Sequence, residues 1–191
     1  MADINLLLPK VKKMTEDFIA KCNAQGIKVM ITSTYRSPEE QDRLYAQGRT
    51  TPGNVVTNAK GGQSIHNWRC AIDFAPVVNG VIPWNNKDLF TKIGQIGELC
   101  GFEWGGRWES FLDLPHLQYT AGYSLEDFQN GRVDYNKFSV AETLPEHYVK
   151  LMQAVKEFQL AEHITVFANE TDMSKIRLGP ATQSAIAKYQ R

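Results

Sequence analysis

The sequence predicts an α+β fold built on a small, mainly antiparallel sheet, followed by a small helical domain. Three observations predict it. Helix-like and strand-like hydrophobic periods alternate through roughly the first 120 residues. The strand candidates follow one another in hairpin-like order rather than as a strand–helix–strand repeat. Beyond residue 143 only helical spacing recurs.

Each element has its own signal. Residues 6–24 set Leu7, Leu8, Val11, Met14, Phe18 and Cys22 on one helical face, and Gly26 follows as a stop. "IKVMITSTY" is a strand rich in β-branched residues. Ser37 is an N-cap, Pro38 takes the first helical position and Glu40 closes a capping box, in a helix running to about Gly48. Residues 49–63, rich in Gly, Thr and Asn, form a loop of a length that is often functional. "CAIDFAPVV" is a second strand, and "NGVIPW" turns back as its hairpin partner. Asp88 caps a helix carrying Leu89, Ile93, Ile96 and Cys100, which ends at Gly101. "FEW" and "PHLQY" are short strands. Residues 130–143 weaken into a polar linker. Tyr148, Leu151, Met152, Val155 and Phe158 then mark an amphipathic helix, and "LGPATQSAIAKYQ" begins the last one. The domains expected are 1–135 and 144–191.

Bulk properties narrow the function classes. Lys plus Arg equals Asp plus Glu at 21 each, so no global field draws the chain to nucleic acid or acidic membranes. Cys22, Cys70 and Cys100 are odd in number and far apart, and make neither a disulfide framework nor a thiolate zinc site. They read as buried thiols of a protein made in a reducing compartment. The apolar run in "MADINLLLPK" is too short for a signal peptide, and nothing approaches a membrane span. The expectation is a monomer synthesised in the cytoplasm, with no nucleic-acid partner and no membrane insertion.

Two segments carry candidate chemistry. In "GQSIHNWRCAIDF", Asp73 lies between Ile72 and Phe74, and burying a lone carboxylate there is costly. In "DLPHLQY", Pro115 starts a strand on which His116 and Gln118 share one face, while Leu117 and Tyr119 take the other. Asp113 precedes that strand and can lean over whatever His116 holds. His66 has the wrong parity to share Asp73's face on one continuous strand, so convergence requires a turn at "HNWR". Two histidines and a carboxylate make an open zinc shell, and a second carboxylate nearby makes a general base. An Asp73 facing solvent on a half-exposed strand fits the same spacing. The residues alone leave both readings open.

The combination of "SIHNWRCAIDF", "FEWGGRW" and "DLPH", within residues 25–120, closely resembles a known peptidase family. Its members include zinc D-Ala-D-Ala carboxypeptidases and phage L-alanyl-D-glutamate endopeptidases, which share a metal-site architecture with lysostaphin and sonic hedgehog. The resemblance implies one zinc ion bound by His66, Asp73 and His116, with Asp113 as the catalytic base. It implies a substrate-contacting or oxyanion-stabilising role for Arg36, and cleft positions for Gln41 and Ser64. Trp104 is a candidate cleft wall, whereas Trp108 is read as plain packing. An aspartate base leans toward the endopeptidase branch. One departure stands out: Arg69 occupies the place of the glycine in H-x-x-G, which leaves the local loop shape open.

More weakly, "VKEFQ" and "LGPATQSAIAKYQ" resemble a helical peptidoglycan-binding module, with Lys175 and Ile176 where that module has Asp-Gly. His147 and His163, in the same segment, read as exposed helix residues. The expected function is an endolysin-type peptidase acting on bacterial peptidoglycan, reaching the wall after release by a holin or delivery by a secretion apparatus. The alternatives are a D-Ala-D-Ala carboxypeptidase, or a non-catalytic wall-binding protein with a structural zinc site.

Overall fold

The computed structural model describes residues 2–109 and 111–140. The expected C-terminal domain, with His147, His163 and the peptidoglycan-binding pattern, lies outside the described residues. Eight elements carry the fold: α1 (Pro9–Ala24), β1 (Val29–Ser33), α2 (Pro38–Ala46), β2 (Ala71–Pro76), α3 (Lys87–Leu99), β3 (Glu103–Trp104), β4 (His116–Gln118) and α4 (Leu125–Gln129). Short 3₁₀ turns at Ile65–Trp68 and Gly105–Arg107 lead into and out of the sheet. The strands pair antiparallel in the order β1-β2-β4-β3.

Strand parity sorts the side chains into two layers. Ile72, Phe74 and Leu117 are fully buried and pack with α1 and α3, where Val11, Phe18, Phe90 and Ile93 complete the core. Phe74 stands at the centre, its ring centroid 5.5 Å from that of Phe18 and 5.8 Å from that of Phe90. The opposite parity, that of Asp73, His116 and Gln118, belongs to the other face. α3 approaches the sheet closely because two of its inward positions are glycine. A Cβ on Gly94 would lie 2.1 Å from Trp104 Cε2, and one on Gly97 would lie 2.5 Å from Leu117 Cδ2.

Four local expectations change. "NGVIPW" forms no strand: only a single bridge joins Val78 and Val81, and β2 pairs instead with β1 and β4. The α3 N-cap is Asn86, whose side chain accepts from Leu89 N–H, while Asp88 sits inside the first turn. Ser37 caps α2 by accepting from Glu40 N–H, but Glu40 supplies no return bond, so the capping box is half formed. The expected linker from residue 130 is in part core. Val133 and Phe138 are buried, and Phe138 packs on Tyr119 and Phe128, so the domain runs past residue 135. α4, which the sequence reading missed, is a single capped turn anchored by Phe128.

The close approach of α3 generates a stability prediction. Ala is a better helix former than Gly by about 1 kcal/mol, yet overpacking a rigid indole costs about 1–3 kcal/mol. Gly94→Ala should therefore lower the melting temperature, read by circular dichroism; a rise would show that Trp104 does not fill that space.

Candidate active site and metal centre

Sheet register assembles the site. Asp73 on β2 is the cross-strand partner of His116 on β4 and of Ser33 on β1. The β1 pairing slips between Ile31 and Ser33, a bulge against the single step from Phe74 to Asp73. That extra residue moves Ser33 off the parity of core-facing Ile31 and sets it opposite Asp73. His66 arrives by the turn that parity demanded. Ser64 caps the 3₁₀ turn Ile65–Trp68 in a reciprocal box with Asn67, and Arg69 ends it in the left-handed region at φ 62°. An arginine thus adopts the backbone shape that glycine takes freely, its guanidinium 4.9 Å above the Tyr35 ring.

Three donor atoms, one each from His66, Asp73 and His116, lie within 4.8 Å of one another. Asp73 Oδ1 is 3.2 Å from both His66 Nε2 and His116 Nδ1. Each imidazole turns its other nitrogen to an acceptor. His66 Nδ1–H donates to the Thr34 carbonyl at 2.6 Å, and His116 Nε2–H donates to Gln118 Oε1 at 3.1 Å. In the neutral rings the inward nitrogens are then bare lone pairs. Two lone pairs and a carboxylate oxygen converge on one point, an arrangement that calls for a cation. The donor set fits a divalent metal with nitrogen and oxygen preference.

Asp73 Oδ2 is held separately, by the Arg36 guanidinium. Burial opposes the Asp73 charge, but the two imidazoles outweigh it and keep the carboxyl well below the usual carboxylate range. Burial pushes His66 down, toward its neutral form. Asp113 goes the other way: burial, reinforced by the Asp73 charge, raises its carboxyl despite the attraction of His116.

These groups line a cleft of about 520 Å³ with Ser64, Gln118, Thr57, Asn58 and Trp108. Of the expected site residues, the cleft gathers Arg36, Ser64, His66, Asp73, Asp113 and His116. Gln41 is buried on α2 and works from behind. Its Nε2 donates to Thr57 Oγ1 and the Ala59 carbonyl, tying the cleft wall to α2, while its Oε1 accepts from Arg36. Trp104 is a correction. It is buried, and its Nε1–H donates to the Leu114 carbonyl at 2.9 Å, bracing the segment between Asp113 and His116 from within. Trp108 is the cleft aromatic instead, its ring 5.1 Å from His116. The sequence reading missed Trp84 and Phe111, both exposed at the cleft. Trp84 was absorbed in the supposed hairpin, and Phe111 sits in a loop without period.

A family model described as D-alanyl-D-alanine carboxypeptidase matches residues 57–119. The chain is also 45% identical over 121 residues to the peptidoglycan L-alanyl-D-glutamate endopeptidase CwlK of Bacillus subtilis (strain 168), across 59% of this chain and 72% of that protein. The chain belongs to this peptidase family. A second member, the L-alanyl-D-glutamate peptidase of Listeria phage A118, is 30% identical over 135 residues, covering 69% of this chain and 44% of that protein. The crystal structure of the L-Ala D-Glu endopeptidase ChiX from Serratia marcescens aligns over 68% of this chain and 87% of that one, with a TM-score of 0.47 and 20% identity.

The Arg69 cap can be tested. Left-handed backbone costs a non-glycine residue about 1–2 kcal/mol, and glycine gives back roughly half of that gain through its freer unfolded chain. Both Arg69→Gly and Arg69→Ala lose the stacking on Tyr35, so Arg69→Gly should be the more stable by about 0.5–1 kcal/mol. Chemical denaturation of the two variants measures the difference. The opposite order would place residue 69 in right-handed backbone.

Proposed function

We propose that this peptidase cleaves the L-Ala–D-Glu bond of peptidoglycan stem peptides, with one zinc ion held by His66, Asp73 and His116. The observation that carries the reading is the convergence of three metal-donor atoms beside Asp113, a half-buried carboxyl whose pKa is raised, in one open cleft. The relatives described as L-alanyl-D-glutamate peptidases support the choice of bond. The phage relative supports action on the wall after release from the cell that makes it.

A zinc ion held by His66, Asp73 and His116 would supply Lewis acidity, polarising the scissile carbonyl and making water a better nucleophile. The chain's own residues do the rest. Asp113 accepts the proton of the attacking water and returns it to the departing amine nitrogen. Of the five N–H groups of Arg36, three are engaged by Ser33, Gln41 and Asp73. Among the described residues the remaining two have no partner, and they can donate to the peptide oxygen as it gains negative charge. His66 and Asp73 keep their orientation through the Thr34 carbonyl and Arg36, so little reorganisation accompanies the reaction.

Digestion of purified sacculi followed by mass spectrometry decides the bond. New D-Glu amino termini and glycan-linked L-Ala are expected; release of free D-Ala would make the chain a carboxypeptidase instead. Asp113→Asn keeps the side-chain shape but cannot take a proton. It should bind zinc normally and lose activity by a factor on the order of 10²–10⁴. Turnover near the parent rate would place the base elsewhere.

Elemental analysis should find about one zinc per chain, and clearly less after His116→Ala removes one of the three protein ligands. Equal zinc in both proteins would remove His116 from the ligand set.

A further inference from the structure

The two histidines of the metal centre are fixed by different devices. His66 donates to a backbone carbonyl, which cannot turn around. His116 donates to a side-chain amide, which can. That amide is itself restrained: Gln118 Nε2 lies 2.9 Å from Glu103 Oε2, and Glu103 Oε1 accepts from Thr120 Oγ1, also at 2.9 Å. Glu103 and Gln118 are cross-strand partners on β3 and β4, so register alone brings them together.

We propose that Glu103 and Gln118 act as a relay that selects the tautomer of His116: Glu103 orients the Gln118 amide, and the amide keeps the His116 proton on Nε2, leaving Nδ1 as the metal-facing lone pair. The proposal rests on the metal-centre reading above and adds two positioning residues to it.

The logic is one of donors and acceptors. A carboxylate only accepts, so the amide end facing Glu103 must be the NH₂. The end facing His116 is then the carbonyl oxygen, which also only accepts. Nε2 must therefore carry hydrogen, and a neutral imidazole has just one. The relay works against a local competitor. Asp73 Oδ1, 3.2 Å from Nδ1, would draw the proton to that nitrogen and so occupy the position a metal needs. With an acceptor fixed behind the ring, the Nε2–H tautomer keeps a partner, and the Nδ1–H tautomer leaves Nε2 facing another lone pair. Such outer partners typically change metal affinity by about 10–100-fold when removed.

Charge reversal at Glu103 tests this on the exposed side of the relay. In Glu103→Lys the ammonium can only donate. The Gln118 amide should turn its oxygen to Lys and its NH₂ to His116 Nε2, shifting the ring proton to Nδ1. Nitrogen-15 NMR of the metal-free, full-length protein at alkaline pH reads the tautomer directly. The parent should show the Nε2–H pattern for His116 and the variant the Nδ1–H pattern, while His66 stays unchanged. Zinc affinity, measured by competition with a chromophoric chelator, should fall about 10–100-fold. Adding Gln118→Glu to Glu103→Lys supplies an acceptor that serves both Lys and Nε2–H, and should restore tautomer and affinity together. An Nε2–H pattern and parental affinity in Glu103→Lys would overturn the relay. So would equal zinc loss in the single and double variants, which would trace the loss to surface charge. A parent that takes up no zinc while the tautomers switch as described would remove the metal-centre reading and leave the relay standing.

Discussion

Everything in the cleft hangs on how the two oxygens of Asp73 are divided. Oδ1 faces the lone pairs of His66 and His116, and Oδ2 faces Arg36. Taking a carboxylate out of water costs several kcal/mol unless partners repay it, and on the sheet's site face the only strong repayment is positive charge. The Arg36 guanidinium meets one oxygen and the two imidazoles meet the other, and the imidazoles outweigh burial and keep the carboxyl charged.

Two backbone irregularities make that division possible. Regular antiparallel pairing would put Ser33 on the parity of Ile31, facing the core; the bulge in β1 places it opposite Asp73, where its hydroxyl accepts from Arg36 Nε at 2.8 Å. The left-handed residue Arg69 closes the turn that returns the chain from His66 into β2. Both distortions are small; one lies directly across the sheet from Asp73 and the other three residues after His66. They are tolerated because the opposite face of the same strands is tightly packed, with Phe74 and Leu117 locked against α1 and α3. The core holds the strands still while the irregular turns aim the ligands.

The parts of the site that follow strand parity were legible in the sequence. His116 and Gln118 on one face, Leu117 on the other, and a turn needed between His66 and Asp73 all come from period-two reasoning, and the structure has each of them. What stayed hidden breaks that period or has none. Trp104 and Trp108 flank a Gly-Gly turn, and only its 3₁₀ geometry decides that the first points inward and the second into the cleft. Val133 and Phe138 join the core from short, irregular segments in which two apolar residues among polar ones make no recognisable pattern. Asn86 and Asp88 are both good cap residues, and the non-helical backbone at Asn86 is what decides between them. The Arg69 conformation was flagged only by what usually stands there.

One hydrogen-bonded path joins the cleft wall to Asp73. The loop carrying Thr57 and Ala59 is tied to the buried Gln41, Gln41 to Arg36, and Arg36 to Asp73. Arg49 secures the same loop from outside, donating to the Tyr45 and Thr57 carbonyls and to Asn58 Oδ1 while it stacks 4.1 Å over the Tyr45 ring. A wall held this way cannot shift without disturbing the guanidinium, and the guanidinium cannot shift without releasing the carboxylate. The cleft wall and the charged groups are then held by one hydrogen-bonded network. Of the exposed apolar side chains at the cleft, Val56 adjoins this tied loop, while Trp84 and Phe111 stand on separate loops. The formal net charge is zero, so no overall field draws a polymer in from a distance, and these side chains act only at contact range.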